Sequence, residues 1–284
     1  MTATTSSFTV IADGSSTSAR GFVAGALAAG IKPSGRPDLG IWASEEPCVA
    51  AATFTQNTFP AASVLLSRER VATGRAQAVV FNAGNANACN GVQGVEDARE
   101  TALLAAAQLE IGPDLVLAAS TGIIGVPLPM DRIREGLPRV QLSADGGHAA
   151  AQAIMTTDTK IKECAVSLDI GGHEVRIGAM TKGVGMIYPN MATMLAFVGT
   201  DAALSPNFAR SVLKRAVDRS FNMVTVDGDT STNDSCFLLA NGLSQAREIV
   251  SGTDEAERFA AALEYVCVDL RARWPPMAKA RKSC

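Results

Sequence analysis

The feature that most constrains this chain is a set of short apolar runs that each end in a polar, turn-forming segment. Gln77–Asn82 (QAVVFN) and Asp114–Ala119 (DLVLAA) are two of them. Runs of this length, bounded by such residues, read as buried strands. Between them, Glu96–Ile111 carries apolar residues at helical spacing, with Asp97, Arg99 and Glu100 on the opposite face. Cys48–Thr55 and Met223–Val226 are further strands, and Glu163–Asp169 and Glu174–Met180 alternate around Gly171-Gly172 as a β-hairpin. Met130–Leu137 reads as a short helix followed by Pro138, and Ala149–Met155 as another. Ser205-Pro206 is a helix start that runs through Arg219, and Thr253 caps a helix to Leu270. Residues 1–20 are Ser-, Thr- and Ala-rich and partly irregular. The mixture is α/β or α+β, without repeats or low-complexity linkers.

Composition narrows the function classes. The 284 residues are 47% apolar and 19% charged, enough for a sizeable core in one large domain or two ordinary ones. A net charge of −3, from 25 basic and 28 acidic residues, argues against a protein that holds nucleic acid by bulk charge. Apolar stretches such as Phe22–Ile31 are too short to span a bilayer. Met1–Ser7 has no signal-peptide pattern, so a soluble cytoplasmic protein is expected. The six cysteines form no CxxC pair and read as free, mostly buried thiols, and no metal site is expected. With His148 and His173 the only histidines and no GxSxG elbow present, a His-based nucleophilic site has little to draw on.

Four polar segments are unlike ordinary loops. Asn82–Gly91 (NAGNANACNG) follows a strand with residues that tolerate left-handed backbone and expose amides, which suits a ligand loop as well as a plain turn. Ser120-Thr121-Gly122 follows DLVLAA, where a glycine lets a backbone N–H approach a reacting carbonyl. Lys182–Phe197 (KGVGMIYPNMATMLAF) holds Gly183 and Gly185 behind a lone lysine and sets Thr193 at the entry to an apolar strand; it lacks the third glycine of a dinucleotide loop. Asp227–Asp234 (DGDTSTND) alternates carboxylates but lacks the calcium-loop spacing and terminal Glu.

Together these segments resemble the ornithine acetyltransferase family, also called bifunctional glutamate N-acetyltransferase/amino-acid acetyltransferase. KGVGMIYPNMATMLAF is similar to the family signature. NAGNANACNG, ASTGIIGVPLPMDRI, AIMTTDT and DGDTSTND follow the family's order and approximate spacing. The stretch GFVAGALAAGIKPSGRPDLG and the later TFTQN fit as well, so the resemblance runs from about residue 8 to about residue 270.

The resemblance implies a layered α/β sandwich of the self-processing threonine-nucleophile type. It implies cleavage between Ala192 and Thr193, giving a piece of residues 1–192 and a piece that begins at Thr193. The Thr193 hydroxyl attacks the preceding carbonyl, and hydrolysis of the ester frees an α-amine, of ordinary pKa about 7.7–8.0, beside its own nucleophile. Thr121 and Gly122 match the oxyanion-hole pair. Thr156 matches a substrate-binding threonine, with Thr157 one place away. Lys182 matches a substrate-binding lysine, suited to a carboxylate. The implied reaction is ping-pong: N-acetylornithine acetylates Thr193, ornithine leaves, and glutamate takes the acetyl group, within arginine biosynthesis. No cofactor is implied beyond acetyl-CoA, which some members accept as co-substrate. The implied assembly is a heterotetramer built from two copies of each piece, with no nucleic-acid or membrane partner.

The end of the chain departs from the family. Arg271–Cys284 (RARWPPMAKARKSC) no longer resembles it, and Trp274-Pro275-Pro276 breaks the last helix where the family has a DGEGA-type segment. Residues 193–270 are therefore expected to form the start of an incomplete second lobe, and residues 271–284 an aberrant, frameshift-derived tail. Such a chain is expected to expose strand edges and to aggregate. The alternative function is an inactive fragment of the same enzyme.

Overall fold

The computed structural model describes residues 8–183, 194–223 and 230–274. Nine strands form one hydrogen-bonded sheet. In chain order they are β1 (Thr9–Val10), β2 (Phe22–Leu27), β3 (Leu39–Phe54), β4 (Arg75–Asn85), β5 (Val116–Ile123), β6 (Lys162–Ile170), β7 (His173–Lys182), β8 (Leu195–Thr200) and β9 (Ser235–Ala240). Six helices accompany them: α1 (Ala62–Val71), α2 (Gly91–Leu109), α3 (Met130–Gly136), α4 (Gly147–Ala153), α5 (Pro206–Asp218) and α6 (Asp254–Ala272). The order across the sheet is β1-β6-β7-β8-β9-β3-β4-β5, with β2 paired to β3. Among these nine strands, β4–β5 and β8–β9 pair in parallel and the other pairs are antiparallel.

The sheet folds back on itself through β3. Its first part, Leu39–Ala43, pairs with β2 and β4, whereas Val49–Phe54 pairs with β9. The register breaks between Ala43 and Cys48, where Glu45, Glu46 and Pro47 are exposed. The three largest apolar clusters among the described residues follow from this fold. Between the two halves lie Phe22, Trp42, Phe81, Phe197 and Phe237. Alternate residues of β8 and β9 (Ala196, Val198, Cys236, Leu238) face α5 and α6. Alternate residues of β4 and β5 (Ala78, Val80, Val116, Ala118) face α1–α3. The result is a helix/sheet/sheet/helix sandwich. Both faces of the central strands are covered, which is why their sequences are near-continuous apolar runs.

Local chemistry explains most of the elements. Ser205 accepts the Phe208 amide ahead of Pro206, and Thr253 accepts the Ala256 amide. Gly171 (φ 62°) and Gly172 (φ 86°) turn the β6–β7 hairpin. Several expectations need correction. β3 begins nine residues before Cys48, since the polar Glu45–Pro47 step is a bulged corner inside one strand rather than its boundary. Asp114 and Leu115 lie in a 3-10 turn, and β5 extends through Ser120-Thr121-Gly122, so these residues are strand rather than loop. Asn82–Asn85 likewise ends β4, and α2 starts at Gly91, five residues early. Met223 closes a 3-10 turn instead of opening a strand, and residues 224–226 lie outside the described set. β2, α1 and β9 are additional elements; α1 has no side-chain cap at Ala61 to announce it.

Residues on both sides of the Ala192–Thr193 bond share this sheet: β8 and β9 lie between β7 and β3. β5 forms one edge of it, and Ile123, Ile124 and Val126 are exposed there. No helix among the described residues is long and apolar enough to cross a membrane.

Candidate active site

The site is built where β4, β5, β7, β8 and β9 present their ends to one side of the sandwich. Parallel pairing sets Asn82 beside Ser120, Ala83 beside Thr121 and Gly84 beside Gly122. Strand alternation carries Thr121 onto the same inter-sheet face as Leu117 and Ala119. Gly84 (φ 109°) and Gly122 (φ 140°) let the two backbones close up: a Cβ on Gly122 would lie 2.2 Å from the Gly84 carbonyl carbon. In the facing half, Met180 belongs to the inter-sheet core, and Lys182, two residues on, points the same way.

Thr121 and Lys182 therefore meet across the sandwich. The Lys182 ammonium donates to Thr121 Oγ1 at 3.1 Å, with both residues buried. Burial pushes the Lys182 pKa down; Asp158 and Asp234 pull it back up, and Lys162 adds to the depression. Asp158 is the organiser on one side. It accepts from Lys162 four residues on, from the Gly183 amide (2.9 Å) and from the Thr156 amide (3.2 Å). Burial acts upward on its pKa, but the hydrogen bonds from Lys162 and the Gly183 amide and the charges of Lys182 and Lys162 hold it below the usual carboxylate value. Lys162 also donates to the Gly183 carbonyl at 3.3 Å.

Asp234 is the organiser on the other side. It is fully buried, and its Oδ1 accepts the Met194 amide at 3.0 Å. Burial pushes its pKa up to about 7, against the opposing pull of the Met194 amide, the Ser231 hydroxyl and the Lys182 charge. Its neighbour Asn233 ties this segment to the ends of β4 and β5, donating to the Ala86 carbonyl (2.6 Å) and the Ser120 carbonyl (2.8 Å). The asparagines of NAGNANACNG serve as brackets. Asn82 donates to the Asn85 carbonyl, Asn85 to the Val126 and Pro127 carbonyls, and Asn87 to the Gly94 carbonyl.

Thr121, Gly122 and Lys182 are thus brought together. Thr156 stands beside them through Asp158 and lines an adjoining cavity of about 680 Å³, whereas its exposed neighbour Thr157 does not. Ala192 and Thr193 lie outside the described residues; the chain re-enters them at Met194, the residue anchored by Asp234. Asp158, Lys162, Asn233 and Asp234 were missed as individual residues. Their motifs are visible in the sequence, but AIMTTDT points only to its threonines, and DGDTSTND reads as a poor calcium loop. Asp227 and Asp229 of that loop lie outside the described residues, and among the described residues no group of three or more His, Cys, Asp or Glu could hold a metal. His148 pairs with Glu163 at 2.5 Å, and His173 is exposed at the hairpin, so neither contributes to this cluster. Cys48, Cys164, Cys236 and Cys267 are buried free thiols and Cys89 is an exposed one.

A buried lysine, a strand-end threonine beside a glycine, and two buried carboxylates can bind an anionic substrate and stabilise a developing oxyanion. The comparisons with known proteins bear on that chemistry. Residues 23–274 match the ArgJ family. The arginine biosynthesis bifunctional protein ArgJ of Symbiobacterium thermophilum is 54% identical over 261 residues, covering 90% of this chain and 65% of that protein. The chain thus spans about two thirds of the length of the curated relatives it matches. Two crystal structures share the fold. The arginine biosynthesis bifunctional protein ArgJ of Bacillus halodurans matches with TM-score 0.63 and 38% identity, over 66% of this chain and 98% of that one. The ornithine acetyltransferase of Mycobacterium tuberculosis, complexed with ornithine, matches with TM-score 0.60 and 37% identity, over 66% of this chain and 100% of that one.

Proposed function

The chain belongs to the ArgJ family, and on that premise we propose that it is an acetyltransferase of arginine biosynthesis whose nucleophile, Thr193, is released by self-cleavage. The observation that carries this reading is the contact of Lys182 with Thr121 across the two sheet halves, beside an Asp234 that holds the residue following Thr193.

In the cleavage step the Thr193 hydroxyl attacks the Ala192 carbonyl carbon and the C–N bond to the Thr193 nitrogen breaks. The hydroxyl proton passes to that nitrogen. Water then hydrolyses the Ala192 ester, leaving an Ala192 carboxylate and a Thr193 with free amine and hydroxyl. The amine serves as base for the hydroxyl in each later turnover, which removes the need for a histidine. The Gly122 N–H and the Thr121 O–H are the donors to the tetrahedral oxyanion. An ammonium has no acceptor, so Thr121 Oγ1 is the acceptor in its bond to Lys182 and its own proton stays free to donate. One such donor is worth roughly 10²–10³ in rate. Lys182 and Thr156 hold the N-acetylated amino acid, the lysine through its carboxylate. N-acetylornithine transfers its acetyl group to Thr193 Oγ and leaves as ornithine; the amine of glutamate then attacks the ester and leaves as N-acetylglutamate.

Supporting the cleavage, each of the two solved relatives matches a share of this chain, 66%, close to the share that precedes the Ala192–Thr193 bond, while being covered almost completely. The same reading makes the protein a cytoplasmic heterotetramer of two pieces of each kind, requiring no cofactor and taking acetyl-CoA, where it is used, as an alternative donor. The test is to incubate the chain with N-acetylornithine and weigh it. An acetyl ester on the piece starting at Thr193, discharged by added glutamate, is the expected result. Cleaved protein that never acquires the ester would contradict the acyl-transfer step.

A further inference from the structure

The cavity beside the site has a charge that the acyl-transfer chemistry does not use. Lys32, Arg36 and Lys160 line it, together with Ser34, Thr156 and Thr159, and among the described residues no carboxylate does. Its volume of about 680 Å³ exceeds what the acyl group alone requires. The nearest carboxylates are already committed: Asp38 accepts the Ala29 and Lys32 amides, each at 2.7 Å, and Asp158 is paired with Lys162. Neither Arg36 nor Lys160 forms an ion pair among the described residues, and both are exposed.

Lys32 is held in place rather than waving in solvent. Its ammonium donates to the Pro37 carbonyl (2.7 Å) and to the Ala153 carbonyl at the end of α4 (2.8 Å). An ammonium has three donors, so one remains for a ligand. Its stem lies over Gly84, where an added Cβ would meet Lys32 Cγ at 3.1 Å, and Gly84 pairs with Gly122. Burial lowers the Lys32 pKa to about 8; Asp38 opposes this, and Arg36 and Lys182 add to it. Arg36 and Lys160, crowded beside Lys32 and without an ion pair among the described residues, gain by receiving an anion.

We propose that the Lys32–Arg36–Lys160 cavity is a second anion subsite, which takes a negatively charged group of the substrate remote from the carboxylate held at Lys182. Which molecule carries that group rests on the acyl-transfer reading; the subsite itself does not. The same chemistry fits the side-chain carboxylate of a dicarboxylic acceptor and a phosphate of a nucleotide-bearing acyl donor.

Calorimetric titration of the full chain with L-glutamate against L-glutamine, and with adenosine monophosphate against adenosine, tests it. At least one anion should bind about tenfold or more tightly than its neutral counterpart, the scale of a charged hydrogen bond. That margin should vanish in Arg36→Gln/Lys160→Gln and shrink in each single variant, with the unfolding midpoint checked alongside. Selectivity for glutamate assigns the subsite to the acceptor, and selectivity for the nucleotide assigns it to the donor. Absence of a charge margin in the wild type, or a margin that survives in a folded double variant, overturns the proposal. Self-cleavage of the unsubstituted chain is scored separately. Charge-selective binding by a chain that never cleaves would retire the Thr193 reading and leave the subsite standing.

Discussion

The space between the two sheet halves contains two regions that are equally buried and chemically opposite. One is aromatic: Phe22 stacks on Trp42 at 5.0 Å, and Phe197 lies within 5.9 Å of Trp42, Phe81 and Phe237. The other is ionic, made of Lys182, Asp158, Lys162 and Asp234. The change from one to the other takes two residues along a strand, from Met180 to Lys182 on β7 and from Ala119 to Thr121 on β5, about 7 Å. Burying the aromatic end removes apolar surface from water and drives folding. Burying the ionic end costs desolvation, which only close pairing offsets. A fold assembled for stability alone would continue the apolar face. On the proposed function, the charged end is where stability is given up for chemistry.

Four substitutions can break or sharpen this contrast, each measured by denaturant unfolding in a Thr193→Ala background so that chain cleavage does not intrude. Trp42→Ala should cost the most, about 4 kcal/mol, through lost burial and the cavity left among four aromatic rings; a loss below about 1 kcal/mol would mean that the two halves are not packed through Trp42. Asp158→Asn comes next, at roughly 3 kcal/mol, because it strands the Lys162 ammonium without its counter-charge. A cost no larger than that of a surface change, about 0.5 kcal/mol, would place this pair in water and dissolve the contrast.

Asp234→Asn should act through pH. The folded-state pKa of Asp234, about 7, lies above the ordinary aspartate value of 3.8, so between about pH 4 and pH 7 the folded chain keeps a proton that the unfolded chain has released. The stability this confers is complete below about pH 4 and is lost as pH rises through 7. The wild-type advantage over the variant should therefore fall with pH, at a slope of up to about 1.4 kcal/mol per unit. A pH-independent difference would show that Asp234 is ionised throughout. Thr121→Val, which removes only the acceptor for Lys182, should cost the least, about 1 kcal/mol.

Legibility in the sequence divides along the same line. The hairpin, α5 and α6 were readable because Gly171-Gly172, Ser205-Pro206 and Thr253 are local signals, and the structure uses each of them. β9 carries the apolar run SCFLLA and could have been read on the same rule as β5. The β3 corner could not, since exposed Glu45–Pro47 looks like a strand end and only pairing with both β4 and β9 keeps the strand going. At the site, Thr121 and Lys182 were singled out by resemblance. The partnership between them is tertiary: 61 residues separate them, and their contact depends on which face each strand turns inward. Asp158 and Asp234 give no local sign of burial, because an aspartate in a polar segment has the same sequence signature whether it is solvated or sealed.

The most direct test of the central claim is the intact mass of the purified chain beside its Thr193→Ala variant. If the Thr121–Lys182 contact and the Asp234 anchor assemble around a competent nucleophile, the wild type should separate into two masses divided at Ala192–Thr193, and the variant should keep one. A single uncleaved mass in folded wild-type protein would contradict the account, leaving the buried charges as a structural cost with no self-processing chemistry attached.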